Sequence, residues 1–517
     1  MIRAASLVSS LVSIAVLAGA CGGGGASGEA DPASAVPGDA PFYAEFAVRP
    51  EGALREDALA ATGKVLAAPD PEAKVRELVD RALAESDAKL EYERDIAPWL
   101  GETAAVWAGA GEEFAGVVLL SATDTDEAQS SIDEAIERGG EPTTERSHGG
   151  VDYRVAETGS AIAVVGDFAA IGTEPELKRT IDALEGSSLA EQDRYRRAIG
   201  DLEDERLAHF YADLKALFEL AAREDPAAAQ SMEQFRQIVP FDRLPPLAGA
   251  FMADGERLAL DMSLEISDDE TLKKLGGLTG GASTPLVAEL PADTWLAQGY
   301  PKLGETLRVL FGEFAGAFGG AVAKQQLERE LGLDLERDFF SWVGDAALFV
   351  RGSSAAEADG GLVIEATDED RAADAFGRIV GALRARGQMD AQPIEIEGAD
   401  AAFAIREAGT PKPIVLARGN GKVVGAYGEA AAAEALSPSE TLGDSETYAE
   451  AKAILGDGIE PGLLVSMPAI VSLVESMGDA DAEFERARPY LEAFTVIASG
   501  GTTDGGRARV RVAAGLE

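Results

Sequence analysis

The block Glu93-Arg94-Asp95, followed by Trp99 and Gly101, returns 243 residues later as Glu336-Arg337-Asp338, Trp342 and Gly344 at identical spacing. Two more pairs occur in the same order. Ala122-Thr123-Asp124 with Ala128 matches Ala366-Thr367-Asp368 with Ala372, and Leu189 to Tyr195 matches Leu442 to Tyr448. Their offsets are 244 and 253, a drift that loop insertions after a duplication would produce. Collinear recurrence of this kind restricts the chain to an architecture that one segment can adopt twice. The 517 residues are too many for one hydrophobic core. Two copies of about 230–240 residues would each bury a substantial one.

Leu275 to Pro285 reads LGGLTGGASTP, a linker composition, and Pro291-Ala292-Asp293 echoes Pro37-Gly38-Asp39. The expected organisation is a signal peptide over 1–20, a flexible tether over 21–38, a first repeat over 39–274, a linker over 275–288 and a second repeat over 289–517. Within a copy, Asp70-Pro71 marks a helix start, and Val75, Leu78, Val79, Ala82 and Leu83 form its apolar side. Strands are expected at Ala104–Ala108, Gly116–Ala122, Ala161–Val165 and Ala169–Gly172. Asp124, with Glu127 three residues on, caps a helix, and another helix begins near Pro175. Leu247–Ala253 and Arg257–Ile266 flank Asp254-Gly255, and Asn420-Gly421 does the same work between Ile414 and Val424. Repeated hairpins with helices between them predict an α+β fold, duplicated, each copy a mostly antiparallel sheet with packed helices.

Arg3 is the only charge before Glu29, and an apolar stretch leads to Leu17-Ala18-Gly19-Ala20-Cys21. This is the pattern of a signal peptide, too short in its apolar part for a comfortable membrane span. It resembles a bacterial lipobox, whose cysteine is acylated with chains of the palmitate class, although the leucine stands one place early. Ala18-Gly19-Ala20 also suits ordinary signal peptidase, which leaves a free thiol. Acylation of Cys21 is the preferred reading, because a lone reactive thiol is a liability in an exported protein and more than one acyl chain gives a stable anchor. The expected location is the outer side of the cell membrane.

Lys plus Arg number 45 and Asp plus Glu 91, a formal charge of −46. Such a surface repels phosphate backbones and anionic headgroups, so nucleic acid is not an expected partner, and membrane attachment must be covalent or hydrophobic. Cys21 is the only cysteine, which removes disulfides, thiolate metal sites and cysteine nucleophiles from the body of the protein.

No stretch carries a catalytic signature, and no catalytic residue, cofactor or metal is assigned. Asp124 with Asp126, and Asp368 with Asp370, lack the remaining ligands of a calcium loop and stand where helix amides favour negative charge. The repeated Trp-x-Gly block reads as a turn with an indole plugging the core. His148 and His209 have no motif around them, and Ser86-Asp87-Ala88-Lys89 has no companion motifs. Gly419-Asn420-Gly421 is no phosphate loop. The most suggestive stretch is Leu303 to Val322, where Leu307, Phe311, Phe314 and Phe318 share one helical face that could take an apolar ligand or a partner helix.

The lipobox-like start, the run from Pro41 to Glu51 and the Trp-x-Gly blocks at Trp99 and Trp342 resemble the bacterial domain-of-unknown-function 3352 proteins. The resemblance covers nearly the whole mature chain. It implies an exported bacterial protein without an assigned activity, and it brings no site residues. The leading expectation is a tethered, non-enzymatic binding or structural module. The alternatives are a carrier or chaperone for a lipid or other apolar ligand, and a hydrolase using carboxylates.

Overall fold

The computed structural model describes residues 31–517 apart from 85–89, 110–114, 141, 225–243, 267–282, 313–323, 327, 330–333, 386–390, 407–408, 479–481 and 505. The described residues fall into two compact α+β units, one ending at Glu265 and one beginning at Ile266.

The first unit carries β1 (Phe42–Ala47), β2 (Leu100–Ala108), β3 (Gly116–Ala122), β4 (Thr143–His148), β5 (Val151–Ala156), β6 (Ser160–Val165), β7 (Phe168–Thr173), β8 (Ala208–Ala212), β9 (Leu247–Ala253) and β10 (Arg257–Glu265). They pair antiparallel in the order β10-β9-β8-β1-β2-β3-β7-β6-β5-β4. Its helices are α1 (Gly52–Val65), α2 (Pro71–Ala84), α3 (Thr125–Gly139), α4 (Glu174–Glu185), α5 (Asp193–Ile199) and α6 (Leu214–Glu224). β3 reads as an unbroken apolar run because both of its faces are covered. Val117 and Leu119 join a core with Trp107, Phe168 and Leu177 of α4. Val118 and Leu120 join a second core with Trp99, Val79 of α2 and Ile132 of α3.

The second unit carries β11 (Thr294–Tyr300), β12 (Val343–Arg351), β13 (Asp359–Ala366), β14 (Ala391–Ile394), β15 (Ala401–Ile405), β16 (Ile414–Gly419), β17 (Lys422–Tyr427), β18 (Leu463–Ser466), β19 (Phe494–Asp504) and β20 (Arg507–Leu516). Their antiparallel order is β20-β19-β18-β11-β12-β13-β17-β16-β15-β14. Counted within each unit, the two orders are the same. The helices here are α7 (Leu303–Gly312), α8 (Glu369–Ala385), α9 (Glu429–Leu436), α10 (Glu446–Leu455), α11 (Met467–Ser476) and α12 (Ala482–Leu491).

The recurrent blocks are core anchors. Tyr92–Ile96 and Glu336–Phe340 are each wound as a π-turn. Trp99 donates its indole N–H to the Asp95 carbonyl at 2.8 Å, and Trp342 does the same to Asp338 at 2.9 Å. Each tryptophan carbonyl then accepts from the backbone N–H of Thr123 or Thr367. The Asp95 carboxylate binds Arg94 and Arg138, and the Asp338 carboxylate binds Arg337 and Arg378. The third block recurs in the same way, as Leu189 and Leu442 donate their N–H groups to Val36 and Leu290 at 2.7 Å each.

Three boundaries differ from the sequence expectation. The stretch expected as tether to Gly38 is packed from Asp31 onward, with Ala33, Ala35 and Val36 fully buried. Small residues leave no amphipathic signal, yet they fit where only methyl groups can. The expected linker to 288 is likewise built into the second unit at its end, since Leu286 and Val287 are core residues. β2 begins at Leu100 rather than Ala104, with a register irregularity between those residues in its pairing with β3.

Candidate functional site

α3 is positioned at both ends. The Asp124 side chain accepts the N–H groups of Asp126 and Glu127, and Gly140 takes the left-handed conformation (φ 65°) that closes the helix. Its inner face carries Ala128, Ile132 and Ile136 at helical spacing. Between this face and β3, β5, β6 and β7 lies a cavity of about 170 Å³. Leu120, Ile132, Ile136, Ile162, Ala169 and Ile171 supply much of its wall, with Trp99 and Ile96 also lining it. Dry cavities of about 150 Å³ with such walls take up small apolar molecules.

Two charged residues reach the lining, Asp95 and Arg154. Burial pushes the Asp95 carboxyl upward, but Arg94, the Glu91 N–H and Arg138 outweigh it and hold the group at about 2. Asp95 is therefore a permanently ionised structural anion, unsuited to proton transfer near neutral pH. Arg154 on β5 is half-exposed and stands 3.6 Å from both Asp133 and Glu145. Ser131, Thr143 and Ser160 add hydroxyls to the lining.

The second unit repeats the strand order with different side chains at several of these places. Register places Phe403 opposite Leu416 where Arg154 stands opposite Ile162, and Ile405 where Ala156 stands. Counting from the helix caps Asp124 and Asp368, Ile132 corresponds to Phe376, Ala135 to Ile379 and Gly139 to Leu383. The Phe376 and Phe403 rings lie 6.0 Å apart, and Leu383 and Ile405 join their cluster. Phe376, Ile379, Leu383 and Ile405 are thus larger than their counterparts Ile132, Ala135, Gly139 and Ala156, whereas Val380 and Gly425 are smaller than Ile136 and Ile171.

The sequence-predicted candidates lie elsewhere. Leu307 and Phe311 sit half-buried on α7, and the Phe311 ring stacks on Phe340 at 6.0 Å, against its own unit's π-turn. Cys21, Phe314, Phe318 and Ser86 to Lys89 lie outside the described residues. His148 on β4 contacts Asp182 at 2.7 Å. His209 on β8 is buried against Tyr43 and meets the Tyr195 hydroxyl at 3.3 Å, and burial lowers it to about 4. The two histidines share no partner. Asp124 and Asp368 cap helices through hydrogen bonds of 3.0 Å to Glu127 and Arg371. Among the described residues no three His, Cys, Asp or Glu side chains gather as metal ligands, and no helix is long and apolar enough to cross a membrane. The cavity residues escaped the sequence reading because glycine and alanine make no motif. The signal that could have found them is the contrast of Gly139 with Leu383 and Ile132 with Phe376 once the halves are aligned.

No curated protein is similar to the chain. Crystal form I of TP0453 is 10% identical, with 46% of this chain and 80% of that one covered at a TM-score of 0.26. Crystal form III is 11% identical, with 49% and 88% covered at 0.27. Similarity this low carries no inference about this protein. The sequence pattern of the family described as "Protein of unknown function (DUF3352)" matches residues 2–458, and the chain belongs to that family.

Proposed function

We propose that this protein is an exported lipoprotein, anchored through acylated Cys21, whose first unit binds an apolar ligand without chemically altering it. The observation that carries the reading is the cavity under α3, with its nearly continuous apolar wall. Its one buried carboxylate is locked by arginines, which leaves no poised acid or base there. We read the two units as copies of one ancestral domain, supported by their common strand order, paired π-turns and matching tryptophan anchors. On that reading the second copy retains the frame and fills the pocket.

The test is uptake of the apolar fluorophore N-phenyl-1-naphthylamine by the exported chain. Saturable binding at one site is expected. The double variant Gly139→Leu/Ala156→Ile, which installs the second unit's side chains, should weaken it at least tenfold while melting no lower than the parent. No saturable uptake, or uptake unchanged in a folded double variant, overturns the reading.

A further inference from the structure

We infer that the cavity selects an uncharged apolar compound bearing an ester or alcohol oxygen, and turns away free carboxylates. The inference rests on the proposed apolar-ligand reading and adds the head group.

The head-group preference follows from charge around Arg154. It is the one cation among the described lining residues, and its side chain is 37% exposed. Asp133 and Glu145 each approach it at 3.6 Å, beyond hydrogen-bond length. The planar fork keeps donors available for an incoming acceptor. Arg154, Asp133 and Glu145 together carry one net negative charge. A carboxylate would enter as a third anion around one cation, on a chain whose formal charge is −46. A carbonyl or hydroxyl oxygen takes the same N–H groups without that repulsion. Asp95, the other charged lining residue, is already paired with Arg94 and Arg138 and offers an entering head group neither a donor nor an unpaired charge. In the second unit the counterpart position holds Phe403, whose ring lies 4.8 Å beneath the Arg384 guanidinium, so the corresponding place is closed by an aromatic face.

The experiment is calorimetric titration of the exported chain carrying Cys21→Ser, purified without detergent, with 1-monooctanoylglycerol and with sodium octanoate at pH 7.5. The glyceride should bind at least tenfold tighter. Arg154→Gln should cut glyceride affinity about tenfold with the melting temperature unchanged. Equal affinities, tighter octanoate binding, or an unaffected Arg154→Gln variant overturns the head-group assignment and leaves the apolar-ligand reading standing. Fluorophore uptake without glyceride binding also overturns the assignment alone. Absence of fluorophore uptake removes both.

Discussion

Asp338→Asn should destabilise the second unit by about 2.5 kcal/mol at pH 7, and the loss should fade as the solution is acidified. The carboxylate is 1% exposed and accepts from Arg337 at 2.7 and 3.0 Å, Arg378 at 2.9 Å and the Asp334 backbone N–H at 3.0 Å. Arg337 is the chief cause of its lowered pKa, followed by the Asp334 N–H and Arg378, all against the opposing effect of burial. The group falls from the usual 3.8 to about 2. At about 1.4 kcal/mol per pH unit, this gives the figure above. Both arginines are substantially exposed and rehydrate when released, so the larger penalty for an orphaned buried charge does not apply. A carboxyl with a depressed folded-state pKa stabilises fully above 3.8, and that contribution disappears as pH falls through about 2. Roughly half should remain at pH 3. Urea titration read by pulse proteolysis, with fragments assigned by mass to each unit, makes the first unit an internal reference. An equal deficit at pH 7 and pH 3 would refute the charge argument in favour of lost packing. A deficit below about 0.5 kcal/mol would show that the anchor contributes little beyond a surface pair.

Cys21→Ser should move the protein from the membrane fraction to the medium, and unchanged fractionation would remove the proposed tether. His209 is kept neutral by burial, with Arg206 adding to the effect, and its pKa falls from 6.5 to about 4. As pH drops below 6.5 the unfolded chain takes up a proton that the folded one refuses, so stability should fall by about 2 kcal/mol between pH 7.5 and 5. His209→Gln keeps a hydrogen-bonding group near Tyr195 and should flatten that slope in thermal melts, whereas the same slope in both proteins would show that other groups carry it.

Several elements were legible because their local chemistry agrees with their packing. β3 runs over the expected Gly116–Ala122, bounded by a glycine and by the Asp124 cap. β16 and β17 meet at Asn420-Gly421, whose φ values of 51° and 71° are those the dipeptide favours in a tight hairpin. The Pro32–Ala35 turn was illegible because its burial depends on neighbours distant in sequence, including Leu189. The apolar helix at Leu303 drew attention to Phe311 through its periodicity, yet periodicity records which face is apolar and says nothing about what covers it. The cavity was hidden for the opposite reason. It is made by side chains that stop short, and Gly139 and Ala156 become informative only beside Leu383 and Ile405.

That contrast also bears on energetics. An unfilled apolar cavity of about 170 Å³ costs at most about 4 kcal/mol at the usual penalty per unit volume, less where water can enter. The frame of the second unit accepts Phe376, Phe403, Leu383 and Ile405 in the corresponding places, so neither strand order nor helix placement obliges the first unit to stay open. The opposite face of the first unit's sheet holds a large separate core, with Trp107, Phe168 and Leu177 fully enclosed. The ion-paired Trp99 anchor fixes the turn bordering the cavity. These two features let α3 stand over partly empty space without the sheet losing its support. On the proposed reading, an apolar guest would restore the missing contacts and stabilise the folded state in proportion to its occupancy. A ligand would then do for the first unit part of what Phe376 and Phe403 do for the second.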